Sequence, residues 1–241
     1  MIFRIGCLFV ASLGYVTAAN ASICDSESAI DKVLKQAGKA VNADFMACKV
    51  LPHQPEFAVI AVANGDFSEH EGYGEYRLTL IQVNQHTAKI KTLYTDPKII
   101  VSDAITFTGL SLDTAPYQMN PSTRAIGVRL EYTGSSRVNP YALETLSLYD
   151  LDRKQKLLSE LDVNLDRGEW NGRCNGEWHE SNSTLQMLNS KTNGYADIRV
   201  TTKTLDKETT DVLGDCKEVN PINNKFTDTL KFNGRVYQQV K

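Results

Sequence analysis

LTLIQVNQHTAKIKTL, from Leu78 to Leu93, and LSLYDLDRKQKLLSEL, from Leu146 to Leu161, carry one apolar pattern twice. Only three of their sixteen positions are identical, but the apolar residues fall in the same places. Each stretch begins with Leu-x-Leu, and two further apolar residues follow that are out of phase with the leucines by one residue. Asn or Asp comes next, followed by a polar segment and a second apolar run. Two short apolar runs around a polar turn are typical of a β-hairpin. We therefore expect a hairpin at each stretch.

Strand-like segments also precede both hairpins, so the pattern predicts about three units of four strands each. A weaker third unit ends in a hairpin at Asn233-Gly234, because Asn-Gly between apolar strands is a strong hairpin signal. Within it, residues 207–224, which hold Cys216, are predicted to form a long loop. The alternative is that any chain of short strands and turns would produce such a repetition. The other predicted strands are Phe45–Leu51, Phe57–Asn64, Ile105–Asp113, Thr123–Thr133, Thr184–Leu188 and Gly194–Asp206.

The fold class that follows is mainly β and antiparallel, because the strands are short and polar turns separate them. The stretch 146–161 resembles the outer hairpin of a β-propeller blade, which would imply blade-like units around an axis. Propellers typically close with about four to eight blades, and the three units expected here are fewer. We therefore expect a sandwich or an incomplete propeller-like arrangement.

One helix is predicted near the N-terminus, over residues 25–42. Asp25 or Ser26 would cap it, since both residue types accept hydrogen bonds from the first free backbone N–H groups. Its apolar residues recur at helical spacing and would pack on the sheet. They are Ile30, Val33, Leu34, Ala37 and Val41.

The first 21 residues are predicted to be a signal peptide. Arg4 precedes an apolar stretch, and Ala19–Ala21 has the small-x-small pattern after which signal peptidase cuts. The apolar stretch is too short and interrupted for a membrane span. We therefore expect one mature β domain, residues 22–241, in the periplasm or secreted, without a transmembrane segment.

The number of cysteines is consistent with the predicted export. Cleavage removes Cys7, and the four that remain are expected to form two disulfides in an oxidising compartment. Three pairings are open, and we prefer the sequential one, because each pair then brackets a compact segment: Cys24 with Cys48, and Cys174 with Cys216. No C-x-x-C spacing indicates zinc, and no metal or other cofactor is predicted.

The distribution of charge and the absence of known catalytic motifs limit the classes of function that we expect. The 26 basic and 29 acidic residues are interspersed without a basic stripe, so nucleic acid is not an expected partner. Neither G-x-S-x-G nor S-x-x-K occurs, and oxidised cysteines supply no thiol nucleophile. No catalytic residue is predicted, although a pair of carboxylates for glycoside hydrolysis would be invisible in sequence.

The sharpest local feature is RGEWNGRCNGEWHE, from Arg167 to Glu180, where Gly-Glu-Trp occurs twice. A hairpin turning at residues 173–175 would place Trp170 directly opposite Trp178, with Glu169 opposite His179. Trp and Arg are enriched among residues that dominate interface affinity. We predict a binding surface there, and the alternative is that the tryptophans only pack within the sheet. Its predicted residues are Trp170, Glu177, Trp178 and His179.

A second binding surface is predicted in the loop EHEGYGEY, residues 69–76, at His70, Glu71 and Tyr73. The alternative is a solvated surface loop, which is what most charged loops are. Together these features favour an exported, non-enzymatic binding protein of inhibitor or immunity type that occludes a protein partner in the cell envelope, or a glycan. The alternatives are a carbohydrate- or peptidoglycan-acting hydrolase with two carboxylates and a structural envelope component.

Overall fold

Antiparallel strands make up most of the computed structural model, which describes residues 22–41, 43–68, 70 and 72–239. The predicted signal peptide lies outside the described residues. Within the described part, no helix combines the length and the apolarity that crossing a membrane requires. The mainly β, antiparallel fold class is confirmed.

The elements follow one another with short connections. A 3-10 turn, Ile23–Asp25, precedes helix α1, Glu27–Gln36. The strands are β1 Phe45–Leu51, β2 Gln54–Ser68, β3 Tyr73–Asn84, β4 Ile90–Ser102, β5 Ile105–Asp113, β6 Gln118–Asn120, β7 Thr123–Arg124, β8 Ile126–Gly134, β9 Tyr141–Asp150, β10 Gln155–Trp170, β11 Gly176–Thr192, β12 Tyr195–Val212, β13 Asp215–Phe232 and β14 Tyr237–Gln239.

Three successive four-stranded meanders build two main sheets. The first meander forms a sheet of order β1-β2-β3-β4. The second and third join edge to edge in one eight-stranded sheet of order β14-β13-β12-β11-β10-β9-β8-β5, and β6 and β7 form a separate small hairpin. Because the second and third meanders share one continuous sheet, they are not separate propeller blades. The sandwich is the arrangement that this fold resembles.

The predicted loop 207–224 is wrong: these residues continue β12 and β13 around the turn Leu213-Gly214. Both turn residues have positive φ, 57° and 89°. Such backbone angles match the two-residue turns that join hairpin strands. The segment has a polar composition, which suggested a loop, because its β12 part is only half-buried and its β13 part is exposed to solvent.

The repeated pattern of the two hairpin stretches reflects burial on both faces of a strand. In β3, Leu78 and Leu80 belong to the cluster between the two sheets, while Ile81 and Val83 face helix α1. In β9, Leu146 and Leu148 face a second cluster on the far side of the large sheet, and Tyr149 and Leu151 face the inter-sheet cluster. Successive side chains point to opposite faces. The one-residue shift therefore marks a central strand with apolar layers on both sides.

Helix α1 covers the outer face of the first sheet through Ile30, Val33 and Leu34. It is shorter than the predicted 25–42, because Gly38 takes a left-handed φ of 65° just beyond its end. The N–H groups of Gly38 and Lys39 then bond back to the carbonyls of Lys35 and Leu34. This closure ends the helix. The disulfide Cys24–Cys48 joins the segment before it to β1.

The strands β10 to β13 are long enough to extend beyond the hydrophobic clusters. We call their distal part, residues 164–184 and 201–229, the arm, and the remaining described residues the body. No arm residue belongs to any of the three hydrophobic clusters. Cys174 is the one buried residue in the arm. The arm is therefore a folded extension without an apolar core.

Candidate functional site

The tip of the arm is organised by one asparagine side chain and one disulfide. Asn171 Oδ1 accepts hydrogen bonds from the backbone N–H groups of Arg173, Cys174 and Asn175, at 3.0, 3.1 and 3.2 Å. The disulfide Cys174–Cys216 joins this turn to the start of β13, with a Cα–Cα distance of 5.3 Å. Both disulfides thus follow the sequential pairing that we preferred from the sequence.

The two Gly-Glu-Trp tripeptides pair with each other. Gly168 lies opposite Trp178, Glu169 opposite Glu177, and Trp170 opposite Gly176. The predicted register, with Trp170 opposite Trp178 and Glu169 opposite His179, is wrong by two residues. The turn begins earlier than the assumed 173–175, because the backbone N–H of Asn171 donates to the Asn175 carbonyl and the Asn171 side-chain oxygen accepts from three backbone N–H groups of the turn. The tryptophan rings become diagonal neighbours, with centroids 6.1 Å apart.

Each tryptophan needs the glycine opposite to it. A β-carbon at Gly168 would lie 2.5 Å from Cε3 of Trp178, and one at Gly176 would collide with Cβ of Trp170. Adding either side chain would therefore displace a ring. The repeated tripeptide is a self-complementary packing unit: antiparallel pairing brings each Gly under the other copy's Trp.

The tryptophans and the predicted polar residues lie on opposite faces of the arm, because neighbouring residues of a strand alternate. We call the side with Trp170 and Trp178 the tryptophan face. The indole N–H groups donate to the Arg137 carbonyl at 2.6 Å and to Thr209 Oγ1 at 3.1 Å. Both indoles are half-buried and hydrogen-bonded within the chain.

The tryptophan face also carries an ion pair network next to an open depression of about 620 Å³. Lys207 Nζ lies 2.8 Å from Glu180 Oε1 and 3.1 Å from Glu218 Oε1. Hydrogen bonds to these two glutamates raise the pKa of Lys207. The ammonium of Lys207 is therefore already paired with two carboxylates of the arm.

The other side, the histidine face, carries Glu177 and His179. Glu177 lies between Glu169 on β10 and Glu208 on β12, so three carboxylates form one row across the sheet. The next row is Arg167, His179 and Asp206, in which His179 Nδ1 lies 2.6 Å from Asp206 Oδ1. Like charges placed directly opposite one another destabilise a sheet. The acidic row therefore works against arm stability, which makes it a candidate for binding rather than for folding.

Exposed apolar side chains lie beside this acidic row, and sequence reasoning missed them. On β13, Ile222 is opposite Asp206 and Phe226 opposite Thr202, with exposures of 57% and 55%. Leu213 at the tip is fully exposed at 101%. A long polar segment with isolated apolar residues could have indicated them, had 207–224 been recognised as strand.

The histidine face continues the part of β11–β13 that packs in the body. Every second residue along each strand lies on this face, and toward the body these positions are Leu185 on β11, Val200 on β12 and Leu230 on β13. All three belong to the second cluster or pack against it. The face that is covered in the body thus emerges uncovered in the arm. An open depression of about 470 Å³ lies on it, lined by residues that include Glu177, His179 and Ile222.

The second predicted surface, at the β2–β3 turn, is less organised. His70 is exposed, and Glu71 lies outside the described residues. The Tyr73 hydroxyl donates to Glu75 Oε1 at 2.5 Å, and that bond raises the pKa of Tyr73. Among the described residues, no group of three or more His, Cys, Asp or Glu side chains could hold a metal ion.

Comparisons with protein families, with curated proteins and with solved structures gave no match to this chain.

Proposed function

We propose that the protein is an exported, non-enzymatic binding protein that occludes a partner protein with the histidine face of its arm. The observation that supports this most is that the arm is fully folded but contributes nothing to any hydrophobic cluster. A disulfide, an ordered turn and a paired tryptophan unit maintain it instead. Such preorganisation lowers the entropy cost of binding.

The charges and the exposed apolar side chains of the histidine face indicate what kind of partner would bind to it. Four acidic residues line the depression against two cations, Arg167 and Lys207, and Lys207 already pairs with Glu180 and Glu218. The acids are Glu169, Glu177, Asp206 and Glu208. Exposed Ile222 and Phe226 add an apolar strip next to these acids. Complementary charge speeds association and excludes partners of like charge. The proposed partner therefore presents basic side chains around an apolar patch, as a cleft in a cationic toxin or hydrolase would.

A pull-down with matched variants tests the proposal. The bait is the oxidised chain 22–241, mixed with envelope extract and with proteins secreted by competing cells. We expect one stoichiometric basic protein, lost with Ile222→Asp or with Glu177→Lys. Met46→Asp is the control, because Met46 is also an exposed apolar strand residue, at 40%, but lies on β1. A partner that all three variants retain equally would overturn the assignment to the arm.

The hydrolase alternative has one observation in its favour, which is the carboxylate pair Glu169 and Glu177 on neighbouring strands. Glycosidases use two such groups on either side of the scissile bond. Here both residues are exposed on an open sheet surface rather than in a deep cleft. Release of soluble fragments from peptidoglycan by the wild-type chain, abolished in Glu177→Gln, would favour the hydrolase.

The structural alternative would use the edge of β13. From residue 215 to 229 this strand pairs with β12 alone, so its outer edge is open within the described chain. Lys217, Pro221 and Lys225 lie on it, and lysine and proline are the residues that discourage edge-to-edge pairing. We therefore place self-assembly below binding, and light scattering of the oxidised chain would reveal it.

A further inference from the structure

The turn at the arm tip contains a residue that its backbone geometry does not favour. Leu213-Gly214 is a two-residue loop between Val212 and Asp215, which pair with each other. Leu213 and Gly214 have φ angles of 57° and 89°. Hairpin turns with two positive φ angles strongly favour Asn-Gly, because a left-handed φ is uncommon for residues other than Gly, Asn and Asp. Leucine therefore has no conformational advantage at this position.

The same chain has the favoured pair of residues at the opposite end of β12. There the loop between Thr192 and Tyr195 is Asn193-Gly194, with φ angles of 50° and 83°. The two turns thus share their length and their φ angles, but only the turn at the arm tip has leucine. Turn geometry alone does not account for this leucine.

Leu213 does not order its own turn. Its side chain is fully exposed at 101% and belongs to none of the three hydrophobic clusters. Polar contacts order the turn instead, because Asp211 Oδ1 accepts from the Gly214 N–H at 2.8 Å and Asn175 Oδ1 accepts from the Asp211 N–H at 3.2 Å. The disulfide at Cys216 joins it to the neighbouring turn. An ordered turn thus presents one large apolar side chain to solvent.

An exposed leucine at positive φ is unfavourable for the isolated chain in two respects. The backbone conformation is disfavoured, and the apolar surface stays in water. Residues held in such conformations cluster at binding and other functional sites. We propose that Leu213 is an anchor that enters an apolar pocket of the partner protein when the arm tip inserts into the partner's cleft. This inference rests on the proposed function and identifies the part of the arm that enters first.

The position of Leu213 defines the geometry of the partner's cleft. The acidic row of Glu169, Glu177 and Glu208 lies across the histidine face, and Glu208 is five residues before Leu213 in the chain. At a rise of about 3.4 Å per residue, this separation is about 17 Å. The partner therefore has a pocket for one leucine side chain, with basic side chains about 17 Å further out that complement the acidic row.

The charges around the tip favour a protein over a membrane as the surface that takes Leu213. Asp211 and Asp215 are balanced by Arg173 and Lys217, so the tip has no basic cluster that would hold it on an anionic membrane. A myristoyl chain is much larger than one leucine side chain and still binds membranes only marginally by itself. In a protein pocket, burial of the leucine adds to the contacts of the histidine face.

Urea denaturation of the oxidised chain 22–241, followed by tryptophan fluorescence, tests whether Leu213 has a structural role. Leu213→Asn gives the tip the same Asn-Gly pair as residues 193–194. We expect the fluorescence transition to stay in place or to move to higher urea. A transition at lower urea would mean that Leu213 stabilises the arm, and it would overturn the proposal.

Titration calorimetry tests the anchor with the protein that the wild-type bait captures, after its purification. Leu213→Asn should weaken binding by at least about tenfold, as expected when burial of a leucine side chain is lost. Leu213→Met, of similar volume, should bind more tightly than Leu213→Asn. Met46→Asn removes an exposed apolar side chain of the body and should bind like the wild type.

The possible failures can be distinguished. Equal affinity of Leu213→Asn and the wild type would overturn the anchor alone, because Ile222→Asp and Glu177→Lys test the histidine face separately. Capture of no protein by the wild-type bait would overturn the proposed function and the anchor together. Sedimentation with vesicles of phosphatidylcholine and phosphatidylglycerol should show no binding. Vesicle binding that Leu213→Asn abolishes would assign Leu213 to a membrane and overturn the protein pocket.

Discussion

The arm and the body share the strands β10 to β13, but different interactions maintain the two regions. In the body, these strands bury Leu158, Ile198 and Leu230 in an apolar cluster. In the arm, the same strands are maintained by cross-strand pairs, a disulfide and surface hydrogen bonds. A long strand can therefore pass from a cooperative core into a region that is able to open by itself.

The sequence provides a way to observe the two regions separately. Trp170 and Trp178 are the only tryptophans of the chain, and both lie in the arm. Tryptophan fluorescence therefore reports on the arm, while far-UV circular dichroism reports mostly on the body. If the arm opens independently, the two denaturation curves will not coincide. Coincident curves would mean that body and arm unfold as one unit.

The largest expected effect is in the body, at Asp96. Its carboxylate accepts a hydrogen bond from the Tyr149 hydroxyl at 2.6 Å and pairs with Lys156 Nζ at 2.5 Å, which joins the two sheets. Asp96→Ala leaves the buried Tyr149 hydroxyl and the Lys156 ammonium, whose side chain is 16% exposed, without their partner, and should lower the free energy of unfolding by about 3–5 kcal/mol. Asp152→Asn, which breaks an exposed pair with Lys91, should cost under about 1 kcal/mol. Urea denaturation followed by circular dichroism compares them, and equal losses would contradict this account.

The next effect depends on pH and also concerns the body. Burial raises the pKa of Tyr117, Tyr149 and Tyr237, and raises that of Tyr132 to about 12. Because the unfolded chain ionises these phenols near pH 10 and the folded body does not, their contribution is complete below pH 10 and is lost as the pH rises. By pH 10.5, each of the four tyrosines should lower the free energy of unfolding of the body by about 0.8 kcal/mol, and all four together by about 3 kcal/mol.

The arm contains no tyrosine, so its fluorescence transition should move little over the same pH range. Lys207 keeps its contribution there, because a raised lysine pKa stabilises the fold at every pH below the unfolded value and is lost only above it. In Tyr132→Phe, the free energy of unfolding of the body should fall by about 0.8 kcal/mol less by pH 10.5, because one of the four tyrosines is absent. An arm transition that falls as steeply as that of the body would argue against independent opening.

A smaller effect, confined to the arm, is expected from Gly168→Ala. The added methyl group would push the Trp178 ring from its position over the glycine. Overpacking of this kind typically costs about 1–3 kcal/mol. We expect the fluorescence transition to shift to lower urea while the circular dichroism transition stays in place. Ser181→Ala, on the opposite face of the same sheet, is the control and should change neither.

The smallest effect is expected at the ion pairs of the tryptophan face. Glu180 and Glu218 are 45% and 62% exposed, so water screens their attraction to Lys207. Lys207→Met should lower arm stability by about 0.5–1 kcal/mol at low salt and by less in 1 M salt, where the screening length is about 3 Å. A loss that does not depend on salt would contradict the assignment of this effect to the screened ion pairs.

The sequence predicted the body better than the arm. Apolar spacing identified the hairpins at 78–93 and 146–161, because buried strands must place apolar residues where the core lies. In the arm, β12 is mostly half-buried and β13 is exposed, and neither buries an apolar residue in a core, so 207–224 lost that signal and was taken for a loop. The register around Trp170 depends on where the Asn171 side chain closes the turn, which residue spacing does not reveal.

The disulfide at the arm tip has a consequence for when the proposed binding surface would be complete. The body strands are stabilised by apolar clusters in addition to a disulfide, whereas the arm has no core to replace its covalent link. In a reducing compartment, Cys174 and Cys216 would stay as thiols. A newly made chain would then carry a formed body and an arm without its disulfide. Under the proposed function, the surface would be complete only after oxidation, so binding would begin only in an oxidising compartment.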